Sequence, residues 1–397
     1  MISATSEPIA VRDDDRDRVI GKIQAFILDW TEQLAAGEIP VIESRSFGDA
    51  DDDDGASDDL WGGQSNGGGG GGAQRRPQPV TRLRLRLPET DQEAMAVQNE
   101  ARKYASTMAV ISYSFELLQA RKTATLRAVY YAFTTLFTCQ EECNKAILRV
   151  CNVLREPRHC LGILAGARGS VTGRLRLKEA GAEEWVDLRG MAGGAATVLA
   201  VGGDWLTLPL ELESDARFIL VVEKEGVFTS LAEDRVFDRI PCILVTGQGF
   251  PPLAVRAMVR RLSKDLRLPV LGVADCNPYG LSLMLTYKLG PARMGQDSHV
   301  YAVPDLKWMG LRPTQLAELD LPEEAYQDMR RSDRERAAAL ARSDHTTDAA
   351  PAYAQEVVWW LSAGAKRVEL DALTADGRGM TSLCAFLESR ILRKDYL

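Results

Sequence analysis

Three oxygen-bearing side chains follow two apolar runs that have the length and β-branched content of buried strands. Glu223 ends the run FILVVE, while Asp275 and Asn277 follow PVLGVA in the sequence DCNPYG. The carboxyl ends of parallel strands meet at one edge of a sheet, so we expect these side chains in one crevice. Hard oxygen ligands suit Mg²⁺, and the cluster therefore predicts a magnesium site. The alternative is that such groups only cap the helix that follows each strand.

A second group of chemically useful side chains lies upstream in RAVYY, which contains Arg127, Tyr130 and Tyr131. Adjacent tyrosines on a helix ordinarily divide into one core residue and one exposed residue. Arg127 precedes Tyr131 by four residues, which places the two side chains on the same helical face. The pattern alone does not assign a reaction to either tyrosine.

The C-terminal half of the chain alternates between strand-like and helix-like segments. Such alternation implies right-handed crossovers and a mainly parallel sheet. The predicted strands are 218–222, 242–246, 270–274 and 300–303, and the main predicted helices are 252–268 and 279–289.

From about residue 91 to residue 178 the pattern is mainly helical, with predicted helices at 126–137 and 143–154. Alternating apolar residues in 170–177 and a second short run at 185–188 predict a β-hairpin. Several helices followed by a two-stranded ribbon are the outline of a winged helix, a relative of DNA-binding helix-turn-helix modules.

The N-terminal region contains an amphipathic helix followed by a low-complexity segment. Residues 48–79 are rich in Asp, Gly and Pro and predict a flexible linker. Before it, residues 16–36 place Ile20, Ile23, Ile27 and Trp30 on one helical face. This face either packs on its own domain or docks against a partner chain, and we favour the partner.

Composition excludes several classes of protein. The 397 residues carry a net charge of −8, but seven aspartates between positions 49 and 59 account for nearly all of it, so a basic surface elsewhere is compatible with the low pI. No run approaches the ~18 consecutive apolar residues of a membrane helix. Seven scattered cysteines predict reduced thiols inside the cell, and their spacing does not predict a zinc site.

Glu223-Lys224-Glu225-Gly226, followed by the Asp-x-Asn-Pro-x-Gly motif at 275–280, resembles the Toprim domain of topoisomerases and primases. Together with the tyrosine pair, it resembles the A subunit of topoisomerase VI and its eukaryotic relatives, the meiotic transesterases of the sporulation-eleven family. The resemblance covers the N-terminal helix and about residues 95–397. Further matching runs are VVEKEGVF, TGQGFPPLAVR, DCNPYGLSLMLTYKLG, VPDLKWMGLRP and KRVELDAL.

This resemblance implies an α+β multidomain fold, with a winged-helix-like domain followed by an α/β Toprim domain. The expected regions are a partner-docking helix region at 1–47, the linker at 48–79, a winged-helix domain at 80–190 and a metal-binding Toprim domain at 191–397.

The resemblance also implies a Mg²⁺-dependent enzyme, with Mn²⁺ as an alternative ion, in the type II, ATP-hydrolysing topoisomerase class. It is expected to form DNA double-strand breaks through a 5′-phosphotyrosyl link and so to initiate meiotic recombination in the nucleus. Tyr131 is the expected nucleophile, assisted by Arg127. Glu223, Asp275 and Asn277 are the expected metal ligands.

The partners implied are double-stranded DNA, a second copy of the chain when cutting, and a topoisomerase-VI-B-like subunit, but no membrane. In the family, the tyrosine of one protomer meets the metal site of the other, and the N-terminal helix meets the B subunit. The sequence has no Gly-rich ATP-binding loop of its own, which is consistent with a separate ATPase subunit.

The expected DNA contacts are Arg168, which stands where the family often has lysine, Phe250 in the GQGFP turn, and Arg256, Arg260 and Lys264 on the helix after Pro252. A solvated basic face and a buried Phe250 are the alternatives. Asn277 departs from the aspartate of most members, which predicts weakened metal binding.

Two other functions remain open at this point. One is a type IIB topoisomerase A subunit that relaxes DNA together with an ATPase. The other is a catalytically weak or silent DNA-binding scaffold, which the exchange at Asn277 suggests.

Overall fold

The computed structural model describes residues 1–6, 13–45, 80–164, 166–190, 194–203, 205, 208–290, 301–319, 321–343, 346, 351–374 and 379–397. The predicted linker at 48–79 lies outside these ranges. The described chain divides into a helical unit, made of residues 13–45, 80–164 and 166, and a sheet unit, made of residues 1–6 and the described residues from 167 to 397. In the described ranges no helix is long and apolar enough to cross a membrane.

The chain begins with β1 (Ile2–Ser6), which belongs to the sheet unit. The elements of the helical unit follow: α1 (Asp13–Ala35), β2 (Ile42–Arg45), β3 (Val80–Leu83), α2 (Asp91–Gln119), β4 (Ala124–Thr125), α3 (Leu126–Ala132), α4 (Gln140–Leu154) and β5 (Ile163–Leu164).

The core of the helical unit lies where α1, α2, α3 and α4 meet. Val110 and Ile111 of α2, Ile147 and Val150 of α4, and Val129 of α3 are almost completely buried there. β2 pairs antiparallel with β3, and β4 pairs parallel with β5. Helical packing therefore holds this unit together, as the 3.6-residue periodicity of its sequence predicts.

Helix α1 packs on its own unit. Val19 is 0% exposed and Ile23 is 2% exposed, and both belong to the core. Ile20 and Trp30 are partly buried against the same unit, and the Trp30 indole N–H donates to the hydroxyl of Tyr104 at 2.5 Å. The prediction that Ile23 docks on a partner is therefore wrong, because its side chain is already covered by this chain.

An ionic contact fixes the same helix. The buried Glu156 accepts from the Nε of Arg18 at 2.9 Å and from the Nζ of Lys22 at 2.6 Å. Burial alone would raise the pKa of Glu156, but the hydrogen bonds from Arg18 and Lys22 outweigh it and lower the pKa. Removing either cation would leave a buried carboxylate less compensated.

The sheet unit contains the remaining elements. They are β6 (Ser170–Gly173), β7 (Arg176–Glu179), β8 (Val186–Asp187), β9 (Leu199–Ala200), β10 (Leu210–Ser214), β11 (Phe218–Val222), α5 (Glu225–Glu233), α6 (Val236–Arg239), β12 (Cys242–Thr246), α7 (Leu253–Asp265), β13 (Val270–Val273), α8 (Pro278–Leu289), β14 (Lys307–Gly310), β15 (Gln327–Asp328), α9 (Arg331–Ala341), α10 (Ala352–Leu361), β16 (Lys366–Arg367) and α11 (Gly379–Arg393).

The main sheet has the strand order β14-β13-β11-β12-β6-β9. Strands β14, β13, β11 and β12 are parallel, and β6 and β9 extend the sheet antiparallel. Every residue of β11 and β12 is buried, which explains their continuous apolar sequences. A second, antiparallel sheet has the order β1-β10-β7-β8.

Two predicted features differ from the structure. Residues 301–303 do not form a strand, and the fourth parallel strand is instead β14. Tyr301, Ala302 and Val303 are buried in a loop, where the Val303 N–H donates to the carbonyl of Tyr287. The apolar run at 301–303 therefore indicates burial correctly, but it does not indicate a strand.

The predicted hairpin is real where β7 pairs with β8, but it belongs to the sheet unit. β6 pairs with β12 of the main sheet, and β7 pairs with β10. The division between the units therefore lies at residues 166 and 167, upstream of the predicted boundary at 190. The winged helix remains a prediction.

The packing of α1 predicts different effects for two neighbouring isoleucines. Ile23→Asp would bury an unpaired charge and lower the free energy of unfolding of the helical unit by about 3 kcal/mol. Ile27→Asp, the control, should change it by less than about 0.5 kcal/mol because Ile27 is 36% exposed. Urea denaturation of the full chain measures both values. Equal losses for the two variants would contradict the observed orientation of α1.

Candidate active site

Two carboxylates meet at the carboxyl ends of neighbouring parallel strands. Register pairs Val222 of β11 with Val273 of β13, so Glu223 and Asp275 leave the sheet side by side. The backbone N–H of Asp275 donates to a carboxylate oxygen of Glu223 at 2.8 Å. The structure thus brings together two of the three residues that the sequence placed in one crevice.

The two carboxylates lie in a crevice with more negative than positive charge. Desolvation raises the pKa of Glu223 to about 7, and the charge of Asp275 contributes to the rise. Desolvation also raises the pKa of Asp275. Carboxyl groups with raised pKa values gain most from an added cation, which is the electrostatic property of a metal site.

The ammonium group of Lys224 forms an ion pair with Asp275 and with two further carboxylates. Its Nζ lies 3.4 Å from Asp275, 2.8 Å from Glu369 and 2.5 Å from Asp371. Burial alone would lower the pKa of Lys224, but the hydrogen bonds to Asp371 and Glu369 outweigh it and raise the pKa. In the part of the chain that the structure describes, no three His, Cys, Asp or Glu side chains stand in a ready metal-binding arrangement.

Glu369 and Asp371 are site residues that the sequence pattern did not identify. They lie in the run KRVELDAL, far along the chain from Glu223 and Asp275. This segment is attached beside β13 by paired backbone hydrogen bonds between Cys276 and Val368. The Leu370 N–H also donates to the carboxylate of Asp275 at 2.8 Å. The sequence did contain one signal that could have identified them: both are acidic residues in KRVELDAL, a run that resembles the family.

Asn277 has a structural role at the start of α8. Its side-chain oxygen accepts the backbone N–H of Gly280 at 2.8 Å, and Pro278 occupies the first helical turn. This is the arrangement of a preferred helix N-cap. A Cβ added at Gly280 would lie 2.4 Å from the carbonyl of Asp275, so the motif requires glycine there. The structure thus supports the helix-cap alternative for Asn277.

Of the two adjacent tyrosines, one packs against the core and the other is exposed, as expected for neighbours on a helix. Helix α3 is fixed by Val129, which is completely buried, and by the Thr125 side chain, which accepts the Ala128 N–H at 3.1 Å. Tyr130 is half-buried and packs against the core of the helical unit. Tyr131 is 68% exposed, so of the two side chains it is the more accessible to a large substrate. Arg127 is also exposed.

One predicted DNA contact is wrong. Arg256 is 2% exposed, so its guanidinium cannot reach a phosphate backbone in this structure. Helix α7 is buried along most of its length, whereas the sequence suggested one apolar and one basic face. Arg260 is half-buried and Lys264 is exposed, so these two remain candidates.

Arg168 and Phe250 lie at the turn that follows β12. The Arg168 guanidinium donates to the carbonyl of Gln248 at 2.8 Å, and the side-chain amide of Gln248 donates to Glu225 at 2.8 Å. Arg168 is exposed and Phe250 is half-buried. The turn therefore presents one cation and part of one aromatic ring.

Comparison with known proteins matches both units to one family. The family model for the Toprim domain of Spo11 and of the topoisomerase 6 A subunit matches residues 218–391, and the model "Type IIB DNA topoisomerase" matches residues 102–163. The sheet unit thus contains a Toprim domain, which covers residues 218–391. The chain belongs to the family formed by Spo11 and the topoisomerase 6 A subunit, referred to below as the topoisomerase 6 A/Spo11 family.

Individual relatives agree with this assignment. The chain is 37% identical over 307 residues to "Meiotic recombination protein SPO11-2" of Oryza sativa subsp. indica, covering 75% of this chain and 76% of that protein. It is 30% identical over 299 residues to "Meiotic recombination protein SPO11" of Homo sapiens, covering 75% and 70%. It is 31% identical over 262 residues to the A subunit of DNA topoisomerase 6 of Arabidopsis thaliana, covering 63% and 59%.

The capping geometry gives a prediction for Asn277. Asn277→Ala should lower the free energy of unfolding by about 1 kcal/mol because the first turn of α8 loses its cap. Affinity for Mn²⁺ should stay within about twofold of the unaltered chain, because the amide oxygen is neutral and already accepts the Gly280 N–H. Denaturant unfolding and calorimetric titration with Mn²⁺ measure the two quantities. A large loss of Mn²⁺ affinity without loss of stability would make Asn277 a ligand after all.

Proposed function

We propose that this chain is a DNA-cleaving transesterase that forms double-strand breaks and thereby initiates meiotic recombination. The observation that carries the proposal is the exposed side chain of Tyr131 on a helix packed into the core, in a chain of the topoisomerase 6 A/Spo11 family. The names of the relatives from rice and human support the meiotic role.

In the proposed reaction, the Tyr131 Oη attacks a DNA phosphorus atom. A tyrosyl O–P bond forms and the bond from phosphorus to the 3′ oxygen breaks, which leaves a 5′-phosphotyrosyl end and a 3′-hydroxyl end. The phenolic proton is lost and the departing 3′ oxygen gains a proton. One phosphodiester replaces another, so the break needs no hydrolysis. Arg127, one helical turn before Tyr131, would bind the same phosphate.

Glu223 and Asp275 are the residues that would hold Mg²⁺, or Mn²⁺ in its place. Their raised pKa values and carboxylate chemistry fit a hard divalent cation. Such an ion would supply positive charge to the phosphate and to the departing 3′ oxygen. The hydrogen bond from the Asp275 backbone N–H holds the Glu223 carboxylate beside Asp275.

The proposed DNA contacts outside this centre are Arg168, Phe250, Arg260 and Lys264. Lys264 and Arg168 are exposed cations that can approach phosphates, and each phosphate contact makes binding more sensitive to salt. Phe250 is exposed enough for its ring to meet a base or sugar at the end of β12.

The proposed assembly is a homodimer on DNA, in the nucleus, with a topoisomerase-VI-B-like subunit. Family membership supports both partners. On α1 the exposed large apolar residues left for a partner are Ile27, Leu28 and Leu34.

A type IIB topoisomerase A subunit that relaxes DNA is the second candidate, which the likeness to the Arabidopsis topoisomerase 6 protein supports. ATP-dependent relaxation in the presence of a B-like subunit separates it from a break-forming enzyme. A silent DNA-binding scaffold is the third candidate, and formation of any covalent protein–DNA adduct excludes it.

The nucleophile is tested by removing one oxygen atom. Tyr131→Phe should abolish the covalent protein–DNA adduct while DNA affinity stays within about twofold, because only the attacking atom is lost. Tyr130→Phe is the matched control and should retain most of the adduct. Gel separation of adducts, followed by mapping of the residue on the 5′ end, measures the outcome. An active Tyr131→Phe protein would remove this residue from the proposed reaction.

The proposed dimer is tested by mixing two inactive protomers. If the tyrosine of one protomer works with the metal site of the other, a heterodimer of Tyr131→Phe and Glu223→Ala contains one complete site. That heterodimer should nick one strand and leave the other intact. Each variant alone should give no nick. No nicking by a purified heterodimer would place both groups of a site on the same protomer.

A further inference from the structure

The acidic crevice contains more carboxylates than the two assigned to metal binding. We infer that Glu369 and Asp371 are further ligands of the cation and that Lys224 is a displaceable counter-cation that holds their place until a divalent ion binds. This inference rests on the proposed metal-binding role of Glu223 and Asp275. It adds the C-terminal segment at 366–373 to the site.

The contacts of Lys224 carry the inference. Its ammonium lies within 3.4 Å of carboxylate oxygens of Asp275, Glu369 and Asp371. Lys224 directly follows Glu223 and stands at the N-cap position of α5, so its backbone is fixed beside the carboxylate pair. One monovalent group therefore occupies the point where three carboxylates converge.

The segment that supplies Glu369 and Asp371 is attached to the crevice by its backbone. Cys276 and Val368 exchange backbone hydrogen bonds of 2.8 and 3.1 Å, and the Leu370 N–H bonds the Asp275 carboxylate. Glu369 and Asp371 flank Leu370, and both reach the same ammonium. The backbone on either side of Glu369 is thus fixed beside Asp275 without the help of Lys224.

The charge balance of the crevice favours displacement of the Lys224 ammonium by a divalent ion. Three carboxylates, those of Asp275, Glu369 and Asp371, contact one ammonium. A fourth, Glu223, accepts the backbone N–H of Asp275. The only other cation close by among the described contacts is Arg367, whose guanidinium lies 3.9 Å from Glu369. A divalent ion carries twice the charge of Lys224 and binds more oxygen atoms than three N–H donors do. Lysine is a flexible point charge, so it can withdraw without breaking backbone structure.

Asn277 leaves room for additional charged ligands. Its amide is neutral and contributes no charge to the crevice, and its oxygen already accepts the Gly280 N–H in the cap of α8. Glu369 and Asp371 provide the negative charge that this position would otherwise supply.

The experiment is a calorimetric titration of the full chain with Mn²⁺ in the absence of DNA. Lys224→Met should tighten Mn²⁺ binding by about fivefold or more because the competing ammonium is gone. Glu369→Gln and Asp371→Asn should each weaken binding by about tenfold, because each removes a charged ligand. Lys178→Met and Asp238→Asn are matched controls, since both residues form ion pairs elsewhere in the same unit, and neither should change the affinity.

The outcomes separate this inference from the proposed function. Weaker or unchanged binding by Lys224→Met, or unchanged binding by both acidic variants, overturns the inference. If Lys224→Met does not fold, the two acidic variants decide. Loss of binding in Glu223→Ala with no effect at positions 224, 369 and 371 leaves the proposed metal site intact and rejects only the inference. Equal Mn²⁺ binding by Glu223→Ala and the unaltered chain rejects both.

Discussion

The sheet unit depends on the backbone hydrogen bond from Asp275 to the carboxylate of Glu223. This bond joins the ends of β11 and β13 and brings two carboxyl groups into one desolvated crevice. Such a pair costs stability, because desolvation and mutual repulsion disfavour the charged forms. The strands that carry the pair are completely buried and well paired, so the sheet can support that cost. A fold selected for stability alone would not keep acids there.

The neighbourhood of this pair is built to hold the carboxylates in place. Asn277 caps α8 and thereby fixes the backbone that follows Asp275. The 366–373 segment donates a backbone N–H to Asp275 from the other side. Lys224 then offsets part of the negative charge. Each contact restrains the position of an oxygen atom, and the remaining negative charge is what a divalent cation would meet.

Local sequence pattern predicts the strands of this molecule that are buried along their whole length. β11 and β12 are found at their predicted residues because an apolar run that is buried on both faces has few other solutions. The same rule fails at residues 301–303, which are buried but not paired as a strand. The crevice at Glu223 and Asp275 follows from topology alone, since parallel strands end at one edge.

Local sequence pattern could not predict the contacts between segments that lie far apart in the chain. The partner of Lys224 at Glu369 is 145 residues away, and no periodicity encodes such a pair. Helix α7 looked amphipathic, but Arg261 is buried and donates to the carbonyls of Ser6, Trp205 and Leu208. The N-terminal strand and the segment before β10 thus supply acceptors that bury one arginine of this helix, while Lys264 of the predicted basic face stays exposed. The hairpin at 170–188 was assigned to the wrong unit for the same reason, because the partners of β6 and β7 lie in later strands.

The tyrosine pair shows where local pattern and tertiary contact agree. Successive helical residues point about 100° apart, so burial of Tyr130 forces Tyr131 toward solvent. Helix α3 has only seven residues and would not be stable alone. Val129 packs it into the core, and the Gln140 side chain donates to the carbonyl of Leu126 at 3.1 Å. The exposed Tyr131 side chain therefore stands on a helix that is fixed by packing and by a hydrogen bond. The proposed nucleophile would accordingly lose less orientational freedom on meeting DNA than a tyrosine on an unpacked segment.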